Sequence, residues 1–186
     1  NDNIRGFDTG PANCLLDKWI FKMQDLDFDN KGQLAAQGIV IDELLNNLML
    51  HPYLLKALPK SADKEDFSLS WLESLIKNRH YSIEDVQATL MSFTVTSIVN
   101  AIKKVMPDCQ TLILCGGGIH NLYLLELLAR KFETILSSDD LGYESDYIEA
   151  MMMAWLAGQR LNNIPIDLTT VTGSSRATHL GAIYLP

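Results

Sequence analysis

The sequence predicts a layered α/β or α+β fold, and three observations carry that reading. Apolar runs of strand length alternate with segments whose apolar residues recur every three or four positions, the pattern of helices stacked on a sheet. The run "QTLILC", Gln110 to Cys115, stops at Gly116-Gly117-Gly118 and resumes as helical sequence from Asn121 to Lys131, a strand, hinge and helix in succession. With 186 residues and 47% apolar composition, the chain can bury a sizeable core, as one large domain or one lobe of something larger.

In chain order, Asn3 to Phe7 reads as a short strand ending at the turn Asp8-Thr9-Gly10-Pro11, and Pro11 suits the first turn of a helix, where a missing N–H costs nothing. Leu15, Leu16, Trp19 and Ile20 give that helix its apolar stripe. A polar loop and short helix, "DLDFDNKGQLAAQG", lead to an amphipathic helix from Ile41 to Met49. "HPYLLKALPKSADKEDFS" is a proline-punctuated loop of the kind that carries function. Helices follow over Ser68 to Ile76 and Ser82 to Val105, the second opening on the capping box Ser82-Ile83-Glu84-Asp85 with Asp in place of the usual Glu. "QTLILC" then reads as a buried, parallel strand. "FETILSSDDLGYESD" supplies a further strand and loop, "YIEAMMMAWLAGQRL" a helix with Met151 to Met153 as core filling, and "LGAIYL" a terminal strand.

Charge and composition exclude several classes. A net charge of −8 and a pI near 4.9 argue against a nucleic-acid surface, which needs clustered Lys and Arg. An anionic ligand must therefore be held locally, by backbone N–H groups or a few cations. No apolar run approaches the ~20 residues of a membrane span, and no charged-then-apolar leader is present. Cys14, Cys109 and Cys115 lack CxxC spacing and sit in apolar sequence, so they read as reduced core thiols of a cytoplasmic protein. The chain opens on Asn1 and runs directly into strand-like sequence, which predicts a piece of a longer polypeptide.

The candidate chemistry is local. After a buried strand, Gly116, Gly117 and Gly118 let a nucleotide approach the main chain, with the next helix presenting its N–H groups. The dinucleotide pattern G-x-G-x-x-G fails at Asn121, and no Gly-Lys-Ser/Thr follows. "DLDFDNKG" fails as a calcium loop in both registers. From Asp25 the glycine position holds Asn30; from Asp27 the last ligand falls on Gly38, leaving a solvated acidic loop. His51, His80, His120 and His179 are scattered without ligand spacing, so no metal residue is assigned; His120, directly after the glycines, reads as a polar helix start. Asp146 and Glu149 stand three apart at the head of a helix, on one face near its positive end, with Ser145 as a cap. Asp8 is open between two roles: a turn residue capping the Pro11 helix, or a carboxylate held rigidly enough to act as a base.

Together these segments resemble the anhydro-N-acetylmuramic acid kinases of the actin-like sugar and acetate kinase superfamily. The likeness runs in order through "FDTGPAN" with "LLDKW", "PKSADKEDF", "DVQATLMSFTVTSI", "LILCGGGIHN", "DYIEAMMMAWLA" and "VTG" with "LGAIY", and spans nearly the whole chain. It implies an α/β, ribonuclease-H-like lobe with helices packed on a mixed sheet, the 1–186 C-terminal lobe of a two-lobed kinase. The family opens the 1,6-anhydro bond of its sugar with water while the freed O6 takes the γ-phosphoryl of ATP. The resemblance makes Asp8 the general base. It places Thr9, Gly10, Pro11, Asn13, Asp146 and Glu149 at the sugar, and Gly116, Gly117, Gly118 and Asn121 at the nucleotide.

Its partners are then the anhydro amino sugar, ATP and the chain's own N-terminal lobe; Mg2+ is held mainly by that lobe, whose phosphate loop is not among these residues. The chain alone is therefore expected to be inactive, and pairing as a homodimer is left open. Two positions depart from the family pattern. Ala62-Asp63-Lys64 stands where Thr-Gly-Arg is usual, which puts anion contacts from that loop in question. Ala12 stands where Gly is usual, a mild change on the sequence alone.

Overall fold

The computed structural model describes residues 4–63 and 65–184. Its elements are α1 (Cys14–Gln24), α2 (Asp42–Met49), α3 (Pro52–Leu55), α4 (Leu69–Ile76), α5 (Ile83–Val105), β1 (Thr111–Leu114), α6 (Leu122–Ala129), β2 (Thr134–Ser137), α7 (Ile148–Leu161) and α8 (Thr169–Thr172). The result is mixed α/β. β1 and β2 pair in parallel, Thr111 opposite Thr134 through Leu114 opposite Ser137, with α6 as the crossover.

α5 is the axis of the core. It buries eleven residues, and over Val86 to Met91 the burial is continuous, so that stretch is enclosed on every face. Against it pack Leu15, Leu16 and Trp19 of α1, Leu44 and Leu48 of α2, and Leu124 and Leu128 of α6. Its start is fixed by Ser82, whose Oγ accepts the Asp85 N–H at 3.0 Å. The second half of the expected capping box is used otherwise: the Asp85 carboxylate accepts the Ile39 N–H at 2.7 Å, which with the Ile41 N–H on Thr89 Oγ1 (2.9 Å) pins the incoming loop to the helix. Gly38 is required at this crossing, because a Cβ there would lie 2.0 Å from the Glu84 carbonyl oxygen.

Several expectations are corrected. Ile4 to Phe7 forms no strand, and Asn3 lies outside the described residues. A strand needs a ladder, and the bonds here run elsewhere, with Thr170 Oγ1 on the Ile4 carbonyl and the Asp8 N–H on the Lys60 carbonyl. Pro11 precedes α1 in a turn instead of opening the helix. β1 is parallel as expected but not buried, with Ile113 55% exposed, because no described layer covers its outer face. Met151, Met152 and Met153 are exposed, and α7 buries no residue. The terminal "LGAIYL" forms no strand among its described residues; the nearby pairing is one antiparallel bridge, Ile166 to Thr178. All three cysteines are free but none is a core residue, Cys115 being exposed. In the acidic loop, Asp29 is buried rather than solvated, its two carboxylate oxygens accepting the N–H groups of Leu34 and Ala35 at 2.9 Å. No helix among the described residues is long and apolar enough to cross a membrane.

The turn before α1 carries one strained residue. Ala12 has φ +48°, the left-handed region where a Cβ crowds the backbone. The Ala for Gly change that looks mild in sequence is therefore a backbone cost. Ala12→Gly is expected to stabilise the chain by a net ~0.5–1 kcal/mol, the relieved strain outweighing glycine's added unfolded-state entropy. Urea unfolding should show a higher midpoint at unchanged slope.

Candidate functional site

The segment from Asp8 to Asn13 connects two cavities. At its start, Asp8 is exposed, and its Oδ2 accepts two hydrogen bonds, from Ser61 Oγ at 3.0 Å and from the Ala62 N–H at 2.8 Å. The backbone is held as well, the Asp8 N–H donating to the Lys60 carbonyl (3.2 Å) and the Asp8 carbonyl accepting from the Tyr53 hydroxyl (2.9 Å). Asp8 therefore does not cap α1. It is clasped to the proline-punctuated loop, and its Oδ1 accepts no bond among the described residues. Around it lies an open cavity of about 390 Å³ that includes Lys60, Ser61 and Thr172. Gly6 allows this, since a Cβ there would sit 2.7 Å from Val171 Cγ1 and push the C-terminal "VTG" segment away.

The contact with Ala62 is made by its main chain, so the departure from Thr at that position leaves it intact. Asp63 is spent locally, accepting the Glu65 N–H at 3.1 Å, and Lys64 lies outside the described residues. Tyr53 is buried, and its hydroxyl is pushed up to about 12 by burial and then by the neighbouring Asp8 and Asp66 carboxylates. It stays a protonated donor at any physiological pH.

The middle of the segment is seated on α5. Thr94 Oγ1 donates to the Ala12 carbonyl at 3.0 Å, and Gly10 lies so close to the helix that a Cβ would be 3.0 Å from Ser97 Cβ. Pro11 is buried in this seat. Thr9 lines a different cavity from Asp8.

At the far end, Asn13 occupies the cap position of α1 without capping it, and lines a second cavity of about 260 Å³ with Asp17, Gly117, His120 and Asn121. Gly116 has φ +73°, and at Gly116 and Gly117 a Cβ would meet nothing within 4 Å. Packing does not require glycine at these two positions; backbone conformation requires it at Gly116, and Gly117 leaves the main chain bare toward open space. Gly118 is in ordinary contact with Asn13 and Leu124. Asn121 caps α6, its Oδ1 accepting the Leu124 N–H at 3.0 Å.

Asp146 and Glu149 do not share one helix. Asp146 lies in a 3₁₀ turn, Ser145–Tyr147, with its Oδ1 3.1 Å from His120 Nε2, so His120 is part of a polar pair across the glycine turn. Glu149 is exposed in the first turn of α7 and lines neither cavity. Ser145 is no cap of α7; it is buried, its carbonyl accepting the Gly116 N–H at 3.0 Å. Sequence reasoning missed Tyr53, Thr172 and Asp17 as site residues. Only the proline-punctuated loop flagged the first, and Thr172 and Asp17 lay unused inside segments already singled out. Among the described residues, no group of three or more His, Cys, Asp or Glu is placed to hold a metal ion.

The structure thus defines a mixed α/β fold with two cavities at the ends of one turn, a clasped carboxylate at one and a bare glycine turn at the other. The model of the anhydro-N-acetylmuramic acid kinase family matches residues 1–186, and the chain belongs to that family. It is 46% identical over 186 residues to an anhydro-N-acetylmuramic acid kinase of Legionella pneumophila (strain Corby), 99% of this chain and 50% of the relative. An Aliivibrio fischeri protein of the same name is 43% identical over 184 residues, 97% of this chain and 50% of the relative. One from Haemophilus influenzae is 40% identical over 198 residues, 99% of this chain and 52% of the relative. The chain spans about half the length of these relatives.

Asp17 adds a pH signature to the second cavity. Burial, and then the nearby Asp29 carboxylate, push its carboxyl up to about 6. A raised carboxyl binds its proton more tightly folded than unfolded, so this group's contribution is most favourable below pH ~4 and is lost as pH rises through ~6. Asp17→Asn is expected to raise stability at pH 7.5 by ~1 kcal/mol, allowing for solvent screening of a half-exposed group, and to have little effect at pH 4. Unfolding midpoints of both proteins at the two pH values check this.

Proposed function

We propose that this chain is the C-terminal lobe of an ATP-dependent kinase that hydrolyses the 1,6-anhydro bond of anhydro-N-acetylmuramic acid and phosphorylates O6, a step of peptidoglycan recycling. Family membership supports the substrate and the nucleotide. The observation that carries the mechanism is the clasp on Asp8, whose Oδ2 is held by Ser61 and Ala62 while Oδ1 is left to take a proton.

In this reading Asp8 removes a proton from a water that attacks the anomeric carbon. The C1–O6 bond breaks, O6 takes the γ-phosphoryl group, ADP leaves, and Asp8 later returns its proton to solvent. The products are the 6-phosphorylated open sugar, ADP and one proton. Nucleotide approach at Gly116 to Gly118 is supported by the open space beside Gly116 and Gly117. Asn121 offers an amide N–H donor to the same cavity, which Asn13, assigned by the resemblance to the sugar, also lines. Asp146 and Glu149 keep the sugar-side roles that the family resemblance implies, Asp146 oriented by His120. The described residues offer no carboxylate cage for Mg2+, and no step here runs through the metal. The complementary lobe supplies the phosphate grip, and the lobe described here is inactive without it.

The test uses the full-length protein with the anhydro-sugar and ATP in oxygen-18 water. Asp8→Asn is expected to lower kcat by ~10²–10⁴ with nucleotide binding unchanged, and Ser61→Ala, which removes one of two clasps, by ~10-fold. One label should enter at the anomeric carbon. Full activity of Asp8→Asn removes the general base. Phosphorylation of an open hexose supplied in place of the anhydro-sugar, with no label entering at the anomeric carbon, points to a kinase of an ordinary hexose, and no ADP release with either sugar points to a binding module.

A further inference from the structure

A third cavity, of about 270 Å³, adjoins the Asp8 cavity, sharing Phe7 and Lys60 with it but not Asp8. Phe7 and Thr9 line it from the segment that carries Asp8, and α5 walls it with Ser97, Asn100, Ala101 and Lys104. Met49 of α2 contributes, and the rest of the wall comes from α3 and the loop that follows, including Leu54, Leu58, Lys56 and Lys60. The chain carries 23 acidic and 15 basic residues, yet three lysines and no carboxylate line this cavity.

Each lysine is placed differently. Lys60 is anchored, its Nζ donating to the Tyr53 and Leu54 carbonyls at 3.2 and 3.3 Å and lying 4.5 Å from the centre of the Tyr53 ring. Lys56 lies over the same ring at 4.8 Å, with a long 3.8 Å ion pair to Asp66. Lys104, exposed in the last turn of α5, has no ion-pair partner among the described residues. Burial, and then the Lys104 and Lys56 ammoniums, hold Lys60 below the ordinary lysine range, so like charges converge here with only the long Lys56–Asp66 pair opposing them among the described residues. Thr9, Ser97 and Asn100 add neutral hydrogen-bonding groups above an apolar floor of Phe7, Leu54, Leu58 and Ala101.

We propose that this cavity binds a small organic anion, a carboxylate or phosphate monoester with an apolar body, at a site separate from the Asp8 and glycine cavities. The head group sits among Lys56, Lys60 and Lys104 and offsets their mutual repulsion; the body rests on the apolar floor. Inorganic phosphate uses only the first of these contacts and an aliphatic alcohol only the second. The site is coupled to the Asp8 clasp by Lys60, which lines both cavities and whose carbonyl accepts the Asp8 N–H. Tyr53 makes a second link, its ring against Lys60 and its hydroxyl on the Asp8 carbonyl.

Titration calorimetry of the full-length protein with hexanoate, hexyl phosphate and hexan-1-ol tests the site. At least one of the two anions is expected to bind one per chain and about tenfold or more tighter than the alcohol, the stronger of them identifying the head group. Lys104→Glu should weaken that anion by about tenfold, whereas Lys103→Glu, one position along α5 and outside the cavity, should change it less than about threefold. Ala101→Leu, which fills the floor without altering charge, should weaken it as well. Anions that bind no better than hexan-1-ol overturn the proposal. So do equal losses in the Lys103 and Lys104 variants, or unchanged binding in Ala101→Leu.

Discussion

The seating of the Gly10-Pro11-Ala12 turn on α5 is the constraint on which the rest of the site depends. α5 is enclosed by apolar neighbours over its first half, and farther along it presents Thr94 and Ser97 where a larger side chain would keep the turn away. A hydroxyl on the Ala12 carbonyl and a missing Cβ at Gly10 bring the main chain onto the helix. Asp8 lies on one side of that contact and Asn13 on the other, so the core fixes the separation of the carboxylate cavity from the glycine cavity. The left-handed backbone at Ala12 is part of the same geometry, a local cost held in place by the packing around it.

The Asp8 carboxylate depends on a second, longer-range feature. Ser61 and Ala62 stand more than fifty residues away in sequence, on a loop held down by Tyr53 and Lys60. Tyr53 is buried against Phe67, and Phe67 against Phe93 of α5, so the loop's anchor is the same core that seats the turn. Orientation of the carboxylate and position of the turn are in this way set by one packed unit. The carboxylate thus takes a fixed direction from a loop whose anchor, Tyr53, is locked by burial.

Much of the fold was legible wherever the cause is local. Ser82 caps α5 because its hydroxyl reaches an N–H three residues on, and Ser68 does the same for α4. The strand before Gly116 and the helix after it follow from an apolar run broken by residues that need no Cβ. The stripe of Leu15, Leu16, Trp19 and Ile20 on α1 follows from its period, and all four are buried. Burial of β1, α7 and the terminal "LGAIYL" was not legible. Ile113, Met152 and Trp155 are as apolar as core residues, but exposure is a property of what covers a surface, and nothing described covers these.

The sequence by itself determined the helices, the glycine turn, the acidic balance and, through six segments in family order, the kind of protein to which the chain belongs. Tertiary structure decided what each candidate side chain does. It made Asp8 a clasped carboxylate instead of a helix cap, paired Asp146 with His120, and gathered three lysines from two distant segments around one cavity. The physical reason is range. Capping, periodicity and turn chemistry act within a few residues and are written in the local sequence, whereas the Asp8 clasp, the turn's seat and the lysine cavity join residues some 50 to 100 positions apart. They exist only once α5 has drawn those segments together.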